Sequence, residues 1–514
     1  MKKVLPFIKE HRYFSLFIMC MACALFEIFG FWKGFFNHPP QMFFACGFVF
    51  VIFFAAFRIV TNNPLDEKTI IFLIFVLGFL FRLTYIHETS YLIRQHDVGG
   101  KNGHYEYIMK FFNHQKLPDI NIKSAWQYYQ PPVWHYICAL FLHIQVSLGI
   151  AIKTALENLQ LITLFCSSAI MLVSYKLFKL FGIKKNALII AFSVIAFHPT
   201  FIILSGSINN DVLSLLLALV SVYLAVKWYR EPKFSTILLL ALSIGFSMGV
   251  KLSGGLISVG VAVLFAIRLF GKKINNKLNL IGQFASFGVL CVPIALWWQV
   301  RNYIRFGIPF TYVPMLSNTN SQYIGFRSTF ERLFDFSSLF ENGVYPARAI
   351  ESKAEFFEYY EYNIPLGALK TSVFGEYYIG FESVVGRFFA NILFYSALIL
   401  VVISLIAAVY LVVKAIKNKK INESFSVSEL YFILICHIVI VFSYIKFCFE
   451  FAHFCTMDFR YIAMTVVFGA LYLGLLMNGR EKNNKMFDKV LNYSVITTLV
   501  LFAVSSIALY VTVG

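Results

Sequence analysis

The chain has 514 residues, 59% of them hydrophobic and only 14% charged, with a mean hydropathy of +0.72. That balance excludes a string of soluble domains, in which about a quarter of residues are charged. The formal charge of +18 sits in short basic clusters between apolar runs, which argues against a nucleic-acid partner and for a membrane protein whose cytoplasmic connections are rich in Lys and Arg.

Apolar runs long enough to span a bilayer recur along most of the chain, without the alternation of barrel strands. The predicted spans are 13–32, 41–60, 69–87, 159–181, 187–205, 211–228, 236–250, 254–270, 280–299, 388–413, 428–446, 460–478 and 489–511. The fold expected is an all-α polytopic bundle of about 13 transmembrane helices. Met1-Lys2-Lys3 before the first run resembles a signal peptide, but the run is long and lacks a small-residue cleavage site, so it reads as a retained span. With the N-terminus in the cytoplasm, the clusters around Lys176–Lys185, Lys227–Lys233, Arg268–Lys277, Lys414–Lys420 and Arg480–Lys489 fall on one side. The cysteines are scattered among apolar segments. Only Cys448 and Cys455 could share an oxidising side, and a disulfide there is the less favoured reading. Glu27, inside the first span, reads as a helix–helix contact or a partner-binding carboxylate, away from the chemistry.

Two connections on the opposite, extracytoplasmic side are long, 88–158 and 301–387, and function is sought there. This divides the chain into an N-terminal membrane module, 1–300, including loop 88–158; a loop region, 301–387; and C-terminal helices, 388–514. In the first loop, Tyr105–Phe112 and the apolar stretch Pro131–Ile150 suit interfacial helices. The second loop crowds Tyr359, Tyr360, Tyr362, Tyr377 and Tyr378; such a segment can bind sugar or cap the bundle.

Directly after the third span stand His96, Asp97, His104 and Glu106. Three readings fit. Asp97 can take the proton of an attacking hydroxyl, with Glu106 and His104 as the next candidates. It can form an Asx turn into Gly99-Gly100. A His96/Asp97/His104 metal site lacks a fourth ligand. The loop closes on Trp126-Gln-Tyr-Tyr129-Gln130-Pro131-Pro132, where the prolines stiffen the chain and the aromatic rings suit headgroup depth. Further along come Asn209-Asn210-Asp211 after His198-Pro199, Gly245-x-x-x-Gly249-Val-Lys251, Trp297-Trp-x-x-Arg301-Asn302-Tyr-x-x-x-Gly307-x-Pro309, and Asp458-Phe-Arg460-Tyr461.

The order of these motifs resembles the integral-membrane GT-C glycosyltransferases, and more narrowly the bacterial family 39 branch related to protein mannosyltransferases and the aminoarabinose lipid A transferase. The resemblance implies a polyprenyl-phosphate sugar as donor, an extracytoplasmic protein, lipid or glycan as acceptor, and inversion at the anomeric carbon. It makes Asp97 the general base, with His96, His104, Glu106, Tyr129, Gln130, Asn210, Asp211, Lys251, Arg301, Asn302, Asp458 and Arg460 as candidate substrate contacts. It implies no obligatory cofactor, and a divalent metal stays open. Gln130 departs from relatives that carry a basic residue or histidine before the Pro-Pro pair.

Charges at membrane depth are costly and usually face a cavity or one another. The predicted spans bring Asp97, Asp211, Lys251, Arg301, Asp458 and Arg460 near one face, so a shared cavity is the economical reading, and snorkelling of Lys251, Arg301 and Arg460 to headgroups is the bland one. A flippase would share the many spans, a cavity lined by charges and the long external loops, but would call for repeat symmetry or broken midplane helices, whereas the polar residues here cluster on one face. A ligase using a lipid diphosphate donor differs by a single phosphate.

Overall fold

A computed structural model describes residues 47, 51, 65–92, 98–99, 103–271, 277–349, 357–376, 383–417, 424–478, 480 and 486–513. The predicted span 13–32, nearly all of 41–60, Glu27, His96, Asp97, Tyr377 and Tyr378 lie outside the described residues.

Among the described residues, eight helices are long and apolar enough to cross a membrane, or up to ten if each of two bent pairs is one span. The helices Glu67–Glu88, Gln160–Leu180, Asp211–Arg230, Lys277–Phe306, Val384–Ile416, Val427–Glu450 and Met486–Ile507 fall on predicted spans. The predicted count of 13 is therefore not reached on described residues. Two predicted spans are bent, Lys185–Phe197 with Pro199–Gly206 by 41° and Phe454–Ile462 with Met464–Met477 by 49°. A third, Phe234–Val250, is a shorter apolar helix of 17 residues. The second loop departs from the all-α expectation: Ala347–Ala349 pairs antiparallel with Phe357–Tyr360, a segment whose aromatic residues favour a pleated surface. Cys448 and Cys455 are free thiols.

The bend at His198 has a local cause. Pro199 has no N–H to give to Ile195, and its ring disfavours the helical geometry behind it. Thr200 N–H turns to His198 Nδ1 at 3.3 Å, so two carbonyls at the break lose their usual partners. Arg82, fully buried, supplies the missing donors: its guanidinium reaches Ala196 O at 2.8 Å, Ile195 O at 3.1 Å and Ser167 Oγ at 2.8 Å. A buried charge surrounded by carbonyl oxygens thus secures the kink.

Close packing sets the next corner. An added Cβ at Gly245 would meet Ile294 Cβ at 3.1 Å and Cys291 O at 3.3 Å, and one at Gly249 would meet Val133 Cγ2 at 3.3 Å. Two small residues four apart therefore let Phe234–Val250 lie directly on Lys277–Phe306. The helix stops at Val250, and Lys251 follows in extended conformation, aimed away from the helix axis.

Candidate functional site

Four charged side chains from three separated segments meet in one buried cluster. Asp211 opens the Asp211–Arg230 helix, and its backbone N–H donates to Asn209 Oδ1 at 3.1 Å. Lys251 donates to its carboxylate. Arg460 Nε stands 3.8 Å from Asp211 Oδ2 and 3.5 Å from Asp458 Oδ2. Asp458 also caps its own short helix by accepting from Arg460 N–H at 2.8 Å. The Tyr461 ring backs both cations, 4.7 Å from Lys251 Nζ and 5.2 Å from Arg460 Cζ. Side-chain exposure is 8% for Asp211, 13% for Lys251 and 10% for Arg460, so each ion is largely withdrawn from water and held by its opposites.

The first long loop attaches beside this cluster. Asn210, 1% exposed, donates to Gln130 Oε1 at 3.1 Å and to Val250 O at 2.8 Å, while its own Oδ1 has no hydrogen-bond partner among the described residues. Gln130 Nε2 donates to Tyr129 OH at 2.6 Å, and Trp298 Nε1 to Tyr129 O at 3.3 Å. Residues 129–130, 210 and 250 thus form one junction that ties the loop to the neighbours of Asp211 and Lys251.

Arg301 turns toward the first loop. Its guanidinium donates to Asn302 Oδ1 at 2.7 Å and Pro118 O at 2.8 Å, with Asp119 at 3.5 Å, and it lies over the Trp298 ring at 4.7 Å. Asn302 is buried alongside. Arg301 thus joins its own helix to Pro118 and Asp119 of the first loop.

His104 and Glu106 open the helix His104–His114. His104 Nδ1 is 2.8 Å from His135 Nε2, the rings stacked at 5.1 Å, and Tyr107 packs on His135 at 4.0 Å. Burial, then the facing His104 ring, holds the His135 pKa well below the usual imidazole value. His104 is thereby committed to the fold of the loop, and Glu106 is partly exposed. Among the described residues no group of three His, Cys, Asp or Glu side chains gathers as a metal-ligand set.

A groove of about 640 Å³ runs from Phe111 and Tyr136 of the loop helices past Leu217 and Trp297 to Val250, next to Lys251. On the other side of Arg460, a small cleft holds Asn209, Glu376 and Asp458. Glu376 and the buried Glu361–Lys370 pair belong to none of the sequence motifs. The signal was slight: an acid after a helix-stopping Gly375, in a loop already rich in glutamate and tyrosine.

Residues 157–315, just under a third of the chain, match the family described as dolichyl-phosphate-mannose-protein mannosyltransferase. Over that segment the chain is similar to a family of GT-C glycosyltransferases. The matched segment contains Asn210, Asp211, Lys251, Arg301 and Asn302, whereas Asp458 and Arg460 lie beyond it. Among solved structures, the crystal structure of the Archaeoglobus fulgidus oligosaccharyltransferase in complex with zinc and sulfate is similar at 14% identity and a TM-score of 0.43, over 86% of this chain and 53% of that one. The chain thus spans about half the length of that protein. No curated protein sequence matches.

Proposed function

We propose that this multi-pass membrane protein transfers a sugar from a polyprenyl-phosphate carrier to a protein, lipid or glycan acceptor on the extracytoplasmic side, with inversion. The observation that carries the reading is the meeting of Lys251 and Arg460 over Asp211 and Asp458, at the end of an apolar groove that reaches Val250. The groove suits an isoprenoid chain, and the cations suit the phosphate at its head.

The chemistry follows from charge. An acceptor oxygen attacks the anomeric carbon, the bond from that carbon to the phosphate oxygen breaks, and the phosphate leaves with the bonding electrons. Lys251 carries three donors, one of which Asp211 takes, so others remain to meet the negative charge growing on the leaving oxygen. Arg460 adds to that stabilisation in a site largely shielded from water. Asp211 and Asp458 keep both cations oriented and make the empty cluster electrically balanced. Asp97 accepts the proton of the acceptor hydroxyl, and its charge favours the oxocarbenium-like transition state.

The test is transfer from radiolabelled undecaprenyl-phosphate sugars in membranes containing the wild type or Asp97→Asn at equal expression. Loss of turnover in the variant is expected. Wild-type turnover in Asp97→Asn removes the base assignment. Export of a lipid-linked glycan without any transfer from lipid-phosphate sugars replaces the transferase with a flippase, and transfer only from a lipid diphosphate makes the protein a ligase.

A further inference from the structure

We propose that Glu376 selects the sugar: its carboxylate accepts a hydrogen bond from a hydroxyl of the donor sugar on the side of Arg460 opposite Lys251. The assignment rests on the transferase reading above.

Two clefts share the Arg460 side chain. One is lined by Asp211, Lys251 and Tyr461; the other by Ser207, Asn209, Glu376 and Asp458. Arg460 lines both. A sugar carried on phosphate keeps its hydroxyls within a few bonds of that phosphate, so a group held by Lys251 and Arg460 brings them to the second cleft. That cleft has a free volume of about 20 Å³, room for one water-sized group, which is the size of a hydroxyl. Its lining is hydroxyl, amide and carboxylate. Glu376, 6% exposed, provides a carboxyl acceptor there.

The position of Glu376 is built, not incidental. The helix Ile364–Phe374 is clamped to the rest of the second loop by Lys370 and Glu361, paired at 2.7 Å with no exposure of either side chain. It is clamped to the Asp458 corner by Thr371, whose hydroxyl donates to Met457 O at 3.1 Å and accepts from Phe459 N–H at 3.0 Å. Gly375, at φ +62°, ends the helix in a conformation that side chains disfavour, and the turn delivers Glu376 into the cleft. The second loop is thereby more than a cap on the bundle: it contributes to the charged site. The hydroxyl bound here keeps its proton, so the role is recognition without proton transfer.

The full-length protein in native membranes is assayed with undecaprenyl phosphate carrying mannose, glucose or N-acetylglucosamine, and with sugar-free undecaprenyl phosphate as competitor. In Glu376→Ala, kcat/KM for the preferred sugar lipid is expected to fall roughly 10- to 100-fold, with preference among the three sugars narrowed, while inhibition by the sugar-free lipid is unchanged. Glu376→Gln, whose amide oxygen still accepts, recovers part of the loss with an unaltered pH profile. Equal weakening of sugar lipid and sugar-free lipid marks a structural role and overturns the assignment, as does unchanged sugar preference in Glu376→Ala. Wild-type protein that turns over none of the sugar lipids overturns the transferase reading and this assignment with it, a failure visible before any variant is compared.

Discussion

Arg460 Nε lies 3.8 Å from the carboxylate of Asp211, although one residue opens a helix in the first half of the chain and the other sits at a bend near its end. Lys251 holds the same carboxylate from a third segment. One acid therefore organises both cations, and substitutions of Lys251 and Asp211 have distinct expected outcomes.

Lys251→Met removes a donor from the leaving phosphate and is expected to lower turnover by roughly 10²–10³-fold, with membrane expression intact. Lys251→Arg does not restore it, because a planar fork replaces a compact ammonium in a closely packed corner. Initial rates with a saturating lipid-phosphate sugar are the measurement.

Asp211→Asn takes away the charge shared by Lys251 and Arg460 and leaves Asp458 to balance the two cations. Both stability and turnover fall, whereas Asp458→Asn costs less because Asp211 still joins the pair. Thermal inactivation of each variant in lipid nanodiscs, read alongside transfer, separates the two.

The Glu361–Lys370 pair is fully buried, and Ser338 Oγ together with the Tyr362 and Asn363 N–H groups satisfies the carboxylate. Burial lowers the Lys370 pKa, and Glu361 opposes the shift. Glu361→Gln alone strands the ammonium and is expected to destabilise by about 3–5 kcal/mol. Adding Lys370→Met recovers much of that loss. Thermal unfolding of both single variants and the double variant measures the coupling.

His135 is kept neutral in the folded loop by burial, with His104 and Tyr107 against it. Its folded pKa is depressed, so the unfolded chain binds the proton first, near pH 6.5. Stability is then complete above about pH 6.5 and declines as pH falls below it. His135→Asn removes this site and is expected to flatten the acid limb of a plot of melting temperature against pH, even if the plateau drops.

Arg82 illustrates what the linear chain conceals. As one charge in an apolar run it looks like any snorkelling residue, and the use it finds, serving Ile195 and Ala196 beside Pro199, depends on which helix lies opposite. Arg301 shows the converse. Its motif suggested a phosphate contact, and no part of that motif foretold its contacts with Pro118 and Asp119. Lys251 and Asp211 were legible as candidates because small residues, a helix start and charge converged in short motifs, but their pairing was not.

Hydrophobic runs and the basic clusters between them sufficed, without coordinates, to establish a polytopic helical membrane protein and to locate most of its described spans. Burial in a bilayer imposes its pattern locally, one stretch of about 20 residues at a time. Packing of distant helices alone decided which of these charges touch, with Lys251 and Arg460 both on Asp211, that Arg301 contacts Pro118 and Asp119, and that Glu376 lines the second cleft. A charged side chain takes whichever opposite group folding brings within a few ångströms, and the steep fall of that attraction with distance makes its choice a property of the tertiary structure.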